Sequence, residues 1–494
     1  MAESLRNKTI KGALWTFLDR IGTQTVCFVV TVVLARLLSP SDYGLIGMLA
    51  VFLSISQLFI DCGFGSALIR KKDRNDTDYS TVFWYNFAIA SVCYGLLFAA
   101  APSIADFYKM PVLAKVLRVI GINLVIQAMY TIQATRLTAN VQFGLQAKIS
   151  IVSAIISGVL GICLAYYGYG VWALVGQSMS AVFFSAIAFW LFSGWHPSLR
   201  FSWGSFRDLF GFGSRIMVAN SLHTIYTNIS PLIIGRKFSA ADLGFYSRGN
   251  SLAAFPGGIF QSTIGRVIFP VLSSIQDDES RLRAAYSKYL RLITSLIAPS
   301  MLLFAACAKP IVVLLLGEKW LPCVPYLQLL SIAMVCDPIV IVNSNVLYVK
   351  GRSDVVLKLE IIKKIIAISI VVATVQFGVI WLCLGRVVYS YIALALNIYY
   401  CGPFVEMGFA RQMREVWPIY GSAAAASIIS YIVLALVESS LTDGLCSLAV
   451  RNTMMLLTAG FAGIAIYAII AWMMKFELVV EGKEFYKKLL SRNG

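Results

Sequence analysis

Long apolar stretches recur along the whole 494-residue chain, and short polar segments separate them. A transmembrane helix needs roughly 20 mostly apolar residues, and windows of that length predict about fourteen helices. We expect them at residues 12–35, 44–68, 80–102, 113–135, 147–167, 171–193, 214–235, 244–269, 286–308, 321–349, 359–377, 379–401, 417–437 and 452–474. The pattern therefore predicts an all-α polytopic membrane protein.

The chain also repeats itself. The block LARLLSPSDYGLIG at 34–47 aligns with IGRKFSAADLGFYS at 234–247, at a constant offset of 200 residues because position 36 matches position 236. The matched pairs are Arg36/Arg236, Ser39/Ser239, Asp42/Asp242 and Gly44/Gly244. A second echo pairs GVWALVG at 170–176 with GVIWLCLG at 378–385. Internal duplication is a common building plan of transporters.

The duplication predicts a division of the chain into four parts. We expect an N-terminal lobe of six helices at residues 1–193 and a cytoplasmic linker at 194–213. A pseudo-symmetric C-terminal lobe of six helices should follow at 214–402, and two trailing helices with a tail at 403–494. The repeated Arg and Asp residues fall at the outer ends of helices 1 and 7, where we expect them to fix matching turns of the two lobes.

The distribution of charge predicts the orientation in the membrane. Only 13% of the residues are charged and 59% are hydrophobic, which leaves too few ions for the surface of a soluble protein. Most of the 41 Lys and Arg lie on one side of the predicted helices, and the positive-inside rule makes that side cytoplasmic. Both termini should then be cytoplasmic, and the protein should lie in the cell inner membrane. The basic residues form scattered clusters typical of topology signals and of contacts with membrane lipids, so the net charge of +17 does not indicate nucleic-acid binding.

The ten cysteines show no spacing that would hold a metal, and we expect no metal site. Nucleotide-binding and hydrolytic motifs such as a Walker A loop, G-x-S-x-G or H-E-x-x-H are absent from the sequence. The sequence therefore favours a transporter over an enzyme such as a polysaccharide polymerase or ligase, which would also need a sizeable outer loop.

Four blocks of the sequence resemble a known family. They are KGALWTF at 11–17, LARLLSPSDYG at 34–44, the D-x-G-F-G-x-x-L-I-R block at 61–70 and the segment PSLRFSWGSFRDLFGFG at 197–213. They are similar to the polysaccharide-transporter branch of the multidrug/oligosaccharidyl-lipid/polysaccharide (MOP) exporter superfamily, which includes Wzx-type flippases and colanic- and teichuronic-acid exporters. The resemblance implies a MATE-like, two-lobed bundle with alternating access. It also implies a cargo of undecaprenyl-diphosphate-linked oligosaccharide, such as a repeat unit of O-antigen, capsule or exopolysaccharide.

Ionisable groups inside membrane helices are energetically costly, so each is a candidate for function. Arg20, Arg386, Arg215 and His223 are candidates for binding the cargo. An arginine suits a diphosphate because its planar guanidinium binds two oxygens and stays charged. His223 also fits an ordinary histidine with satisfied hydrogen bonds inside the bundle.

Three carboxylates are candidates for coupling transport to Na⁺ or H⁺, and no other cofactor is expected. They are Asp19, Asp337 and Asp61. Asp337 precedes a proline that would break its helix, whereas Asp61 could simply organise the turn that follows it. Asp19 could also serve only to neutralise a neighbouring cation.

Two transport functions stay open at this point. The first is a flippase that moves the lipid-linked oligosaccharide to the outer leaflet, in partnership with polysaccharide polymerase machinery. The second is a cation-coupled exporter of small molecules from the same superfamily. The two trailing helices favour the first.

Overall fold

The computed structural model describes residues 22–440 and 448–481, without the side chains of residues 258–267 and 270. Every regular element in those ranges is a helix. Asp19 and Arg20 lie outside the described residues, so their roles stay predictions.

The chain forms two compact units, Met1–Gly244 and Phe245–Gly494. The described helices of the first unit are α1 (Gly22–Leu37), α2 (Pro40–Asp61), α3 (Phe64–Arg70), α4 (Asp76–Tyr108), α5 (Val112–Ile120), α6 (Ile122–Ala139), α7 (Phe143–Tyr166), α8 (Val171–Phe192) and α9 (Trp203–Lys237). The boundary between the units falls inside α10 (Ala240–Ser274).

The second unit continues with longer helices that are interrupted by short ones. Its described elements are α11 (Glu279–Ala306), α12 (Ala308–Leu316), a 3₁₀ helix (Glu318–Cys323), α13 (Val324–Met334), α14 (Asp337–Val349), α15 (Ser353–Thr374), a second 3₁₀ helix (Val375–Phe377), α16 (Val379–Val405), α17 (Phe409–Ser440) and α18 (Leu448–Met473). The trailing helix α17 packs against both α11 and α18.

Ten helical segments of the described chain are long and apolar enough to cross a membrane. This finding confirms a multi-pass membrane protein, while the count of fourteen stays a prediction. The helices α9 and α15 coincide with the predicted helices 7 and 11, yet neither is among the ten. Polar side chains along α9 and charged side chains along α15 interrupt their apolar sequences.

Three predicted helices are broken in the structure. The span predicted at 44–68 is divided between α2 and α3 by a turn in which Cys62 and Gly63 have φ values of 43° and 71°. The span predicted at 113–135 is divided between α5 and α6, and the span predicted at 321–349 between the first 3₁₀ helix, α13 and α14. Apolar windows do not register such breaks, because the residues at a turn inside a membrane are themselves apolar or small.

The two repeated turns have the same local structure. In the first, the Asp42 carboxylate accepts hydrogen bonds from the backbone N–H and the hydroxyl of Ser39, at 2.9 and 2.6 Å. Asp242 accepts the equivalent two bonds from Ser239, at 3.1 and 2.7 Å. This arrangement caps the N-terminus of the following helix. The expectation that the repeated aspartates fix matching turns is confirmed.

These turns also touch each other through their glycines, and both lie in the first unit. A Cβ placed on Gly44 would lie 1.7 Å from the carbonyl oxygen of Ala240. A Cβ placed on Gly244 would lie 2.0 Å from the carbonyl oxygen of Pro40. The two contacts correspond to each other under the offset of 200 residues, because position 44 matches 244 and position 40 matches 240. Only glycine allows the backbones to come so close.

The segment between α8 and α9 is attached to α4 by hydrogen bonds. The Trp84 indole N–H donates to the carbonyl oxygen of Ser198 at 2.8 Å. The backbone N–H groups of Ser198 and Ser202 donate to the hydroxyls of Ser80 and Thr81, at 3.0 and 3.1 Å. Helix α9 begins directly afterwards, at Trp203, inside the linker that the sequence predicted to extend to residue 213.

Candidate functional site

The second unit contains a break between two helices at Val335 and Cys336, immediately before Asp337. Pro338 lies in the first turn of α14 and can donate no backbone hydrogen bond there. The Tyr420 hydroxyl donates at 3.1 Å to the carbonyl oxygen of Val335. The proline-associated break predicted from the sequence is therefore present, and Asp337 begins the helix that follows it.

Charged side chains from two other helices face Asp337. Arg386 of α16 and Lys363 of α15 both interact electrostatically with its carboxylate. Lys363 is only 6% exposed and forms an ion pair with Glu360, one turn earlier on α15. Glu360 also lies 3.7 Å from the amine of Lys364. We call these five residues, Asp337, Glu360, Lys363, Lys364 and Arg386, the charged cluster.

The charged cluster contains three cations and two carboxylates, so its formal net charge is +1. Lys364 interacts with both Lys363 and Arg386, which places the three cations near one another. The guanidinium of Arg386 lies 5.2 Å from the centre of the Tyr389 ring and is held there by a cation–π contact. Like charges that lie near one another repel each other unless an anion joins them. The arrangement is therefore suited to bind an anionic group.

The sequence analysis identified two members of the cluster, Asp337 and Arg386, and the structure brings them together. It missed Glu360, Lys363 and Lys364, although they fall inside the span predicted at 359–377. The missed signal is their spacing, because residues three and four apart lie on one helix face. Three charged residues on one face of a membrane helix indicate an internal polar site.

The remaining described candidates lie in the first unit. Arg215 and His223 are exposed along α9. Asp61 is the last residue of α2, and its carboxylate accepts a hydrogen bond from the backbone N–H of Gly65. The turn after Asp61 packs against α9 at Gly213, so Asp61 and Arg215 lie near the same end of α9. The bond to Gly65 favours the structural interpretation of Asp61, as an organiser of this turn.

A membrane protein of many helices with a mixed charged cluster inside its helices has the architecture of a transporter. The comparison with family models makes the identification more specific. Residues 33–325 match the model of a polysaccharide biosynthesis protein family. The match covers more than half of the chain, and the chain belongs to this family of polysaccharide biosynthesis proteins.

A curated relative agrees with the family. The chain is 27% identical over 337 residues to the succinoglycan biosynthesis transport protein ExoT of Rhizobium meliloti, a match that covers 67% of this chain and 68% of the relative. The resemblance to polysaccharide transporters found in the sequence is thereby confirmed.

Two solved structures share the fold. The lipid II flippase MurJ, in an inward closed conformation, matches with a TM-score of 0.70 at 16% identity, over 97% of this chain and all of the other. A multidrug resistance MATE family transporter of the MOP superfamily, in an inward-facing conformation, matches with a TM-score of 0.56 at 15% identity, over 78% of this chain and 96% of the other. The predicted MATE-like fold is confirmed.

Proposed function

We propose that this protein is a flippase that moves an undecaprenyl-diphosphate-linked oligosaccharide from the cytoplasmic to the outer leaflet by alternating access. The observation that carries the proposal is the charged cluster. A lipid-linked oligosaccharide has an anionic diphosphate between a polyprenyl chain that stays in the bilayer and a polar sugar that must cross it. A cationic site inside the membrane helices compensates that anion along the path.

Each cation of the cluster has a role in this proposal. The Arg386 guanidinium offers several N–H donors in a fixed plane and can bind two phosphate oxygens at once. Lys363 and Lys364 supply point charges from α15. The carboxylates of Asp337 and Glu360 neutralise the cations while the site is empty, which lowers the cost of keeping them away from water.

The family and the fold support this function over the export of small molecules. ExoT is named as a transport protein of succinoglycan biosynthesis, and MurJ is named as a lipid II flippase. The match to the flippase covers 97% of this chain, whereas the match to the multidrug transporter covers 78%. The longer match favours a flippase, because small-molecule exporters of this fold usually need only the twelve-helix core.

The test measures flipping by the purified chain in proteoliposomes, with a fluorescent undecaprenyl-diphosphate-linked oligosaccharide and a quencher that reaches only the outer leaflet. We expect Arg386→Ala and Lys363→Met each to reduce the flipping rate at least about tenfold, because a hydrogen bond to a charged group contributes about 1.5–3 kcal/mol. Arg386→Lys should recover part of the rate, since it keeps the charge and loses the planar donor arrangement.

Lys358→Met is the matched control. Lys358 also lies on α15, but it is exposed and does not belong to the charged cluster. Its ammonium group lies 5.8 Å from the centre of the Tyr400 ring. Its variant should flip at the wild-type rate. Wild-type flipping by a folded Arg386→Ala/Lys363→Met double variant would contradict a role of the cluster in cargo binding. Failure of the wild-type protein to flip, together with efflux of a cationic dye, would favour the small-molecule exporter.

We also propose that a Na⁺ or proton gradient drives the directional step. Asp337 is the described carboxylate suited to it, and Asp19 is the second candidate. Arg386 and Lys363 interact with the Asp337 carboxylate, so uptake of a proton or of Na⁺ at Asp337 would be linked to the charge of the cluster. Asp337→Asn and Asp19→Asn should each weaken the gradient dependence of flipping. Equal wild-type rates with the gradient present and collapsed would contradict this coupling.

The proposal includes the cellular setting. The protein would lie in the cell inner membrane with both termini in the cytoplasm, and it would deliver its cargo to polysaccharide polymerase machinery on the outer face. The excess of Lys and Arg on the predicted cytoplasmic side supports the orientation.

A further inference from the structure

The middle of α9 has two exposed faces on opposite sides of the helix. Val218, Leu222 and Ile225 form one face and are 59%, 47% and 52% exposed. They recur at the three- and four-residue spacing of a single helix stripe. This face is purely apolar and suited to contact lipid chains.

The opposite face is polar and carries no charged side chain. Asn220, His223 and Thr227 are all exposed and recur at the same three- and four-residue spacing. A helix advances about 100° per residue, so this stripe lies roughly 170° around α9 from the apolar stripe. We call Asn220, His223 and Thr227 the polar face of α9.

The polar face cannot lie against lipid without cost. Burying an uncompensated amide or hydroxyl in hydrocarbon costs several kcal/mol (roughly 2–7). Helix α9 has 35 residues and packs against the apolar spans α2 and α4, so it runs through the same layer as they do. Its polar face must therefore contact water or a polar ligand while the apolar face contacts lipid.

The polar groups of this face are available for a ligand. In the described part of the chain, the side chains of Asn220 and His223 have no hydrogen-bond partner. Thr227 donates its hydroxyl hydrogen to backbone carbonyls of α9, 3.0 Å from that of His223, and its oxygen can still accept hydrogen bonds. The face therefore offers amide, imidazole and hydroxyl groups along about two turns of helix.

We propose that the polar face of α9 binds the oligosaccharide of the cargo. Sugar hydroxyls both donate and accept hydrogen bonds and carry no charge, which matches the neutral donors and acceptors of this face. The proposal rests on the proposed function and refines it, because it assigns recognition of the sugar to α9. Since hydrogen-bonding sites discriminate strongly between polar ligands, this face also contributes to the choice of sugar.

The experiment compares two lipid probes. The sugar-bearing probe is lipid-linked oligosaccharide extracted from the source cells, and the sugar-free probe is undecaprenyl diphosphate. Native mass spectrometry of the full-length protein in detergent then measures the occupancy of each lipid. We expect Asn220→Ala/Thr227→Ala to weaken binding of the sugar-bearing lipid about tenfold and to change binding of the sugar-free lipid less than about twofold.

Leu222→Ala/Ile225→Ala, on the opposite face, is the matched control and should leave both affinities unchanged. Wild-type affinity of Asn220→Ala/Thr227→Ala for the sugar-bearing lipid would overturn the proposal, and so would an equal loss for both lipids. His223→Ala gives a second, single-site measurement with the same expectation. If the wild-type protein binds neither lipid, the proposed function itself fails, and this outcome is distinct from a failure of the α9 assignment.

Discussion

Tyr286 begins a chain of fully buried hydrogen bonds in the second unit. Its hydroxyl donates to the Asn343 side-chain oxygen at 2.5 Å, and the Asn343 amide donates to the Gln412 side-chain oxygen at 3.4 Å. The Gln412 amide in turn donates to the carbonyl oxygen of Met407 at 2.8 Å. Three helices, α11, α14 and α17, are joined by side chains that have no access to water.

We expect Tyr286→Phe to lower the free energy of unfolding by about 1–3 kcal/mol, because it leaves the Asn343 oxygen buried without a donor. Urea unfolding of the detergent-solubilised protein, followed by circular dichroism, measures the change. Tyr348→Phe is the control, since Tyr348 is 51% exposed. A Tyr286→Phe variant as stable as this control would show that the bond contributes little.

The contact between Gly44 and Ala240 leaves no space for a methyl group. Gly44→Ala should destabilise the protein by about 1–3 kcal/mol, as overpacking does in other tightly packed sites. The same change at Gly244 should have a similar effect, because its contact is equivalent. Thermal unfolding in detergent is the measurement.

Gly95→Ala provides the control for both glycines. Gly95 lies inside α4, and a Cβ placed on it would meet no atom within 4 Å. Alanine is a better helix former than glycine by about 1 kcal/mol, so this variant should be neutral or stabilising. A similar melting temperature for all three variants would contradict the steric argument.

At the scale of single residues, a charged site residue could be identified from the sequence when it was the only charge in an apolar stretch. The sequence identified Asp337 and Arg386, because a single charge stands out in an apolar stretch. Lys363 was missed, because its helix carries several charges and resembles a solvated surface. The spacing of Glu360, Lys363 and Lys364 indicates a shared face of α15, but the burial of Lys363 also depends on the helices that pack around α15.

At the scale of elements, the segment between α8 and α9 is held by buried groups of α4. Ser80 and Thr81 are fully buried and accept the backbone hydrogen bonds of Ser198 and Ser202. Exposed backbone without such bonds exchanges its amide hydrogens quickly, whereas bonded amides are protected. The start of α9 is therefore fixed relative to α4.

Ser80→Ala/Thr81→Val should increase hydrogen exchange in residues 197–203 at least about tenfold, since each lost bond contributes roughly 1 kcal/mol. Exchange followed by mass spectrometry on the reconstituted protein gives the rates. Ser91→Ala is the control, because the Ser91 hydroxyl donates to the carbonyl oxygen of Phe87 within α4. Unchanged exchange at 197–203 would show that other contacts hold the segment.

The prediction of elements succeeded where apolar length dominates and failed where side-chain hydrogen bonds decide. The start of α9 was placed at 214 from hydropathy, but Ser202 caps the helix by accepting from the backbone N–H of Ser205. A serine at this position is a recognised start signal. The apolar window outweighed it, because the residues that follow in α9 are polar and aromatic.

At the scale of the whole molecule, the orientation can be tested directly. We expect reporter fusions inserted after Arg200 and at the C-terminus to report the cytoplasm, because the excess of Lys and Arg predicts both on that side. A fusion between α7 and α8, at Gly168, should report the opposite side and serves as the control. A periplasmic signal from either of the first two fusions would contradict the predicted topology.

The reciprocal approach of the two glycine turns also bears on the history of the chain. A contact in which residue 44 meets residue 240 while residue 244 meets residue 40 has the symmetry of a homodimer interface. In an ancestral dimer of half-length chains, any substitution there would alter both sides at once. Fusion of the two copies removes this constraint, and each side can change alone. Pro40 and Ala240 already differ, while the glycines and the capping Ser–Asp pairs are still shared.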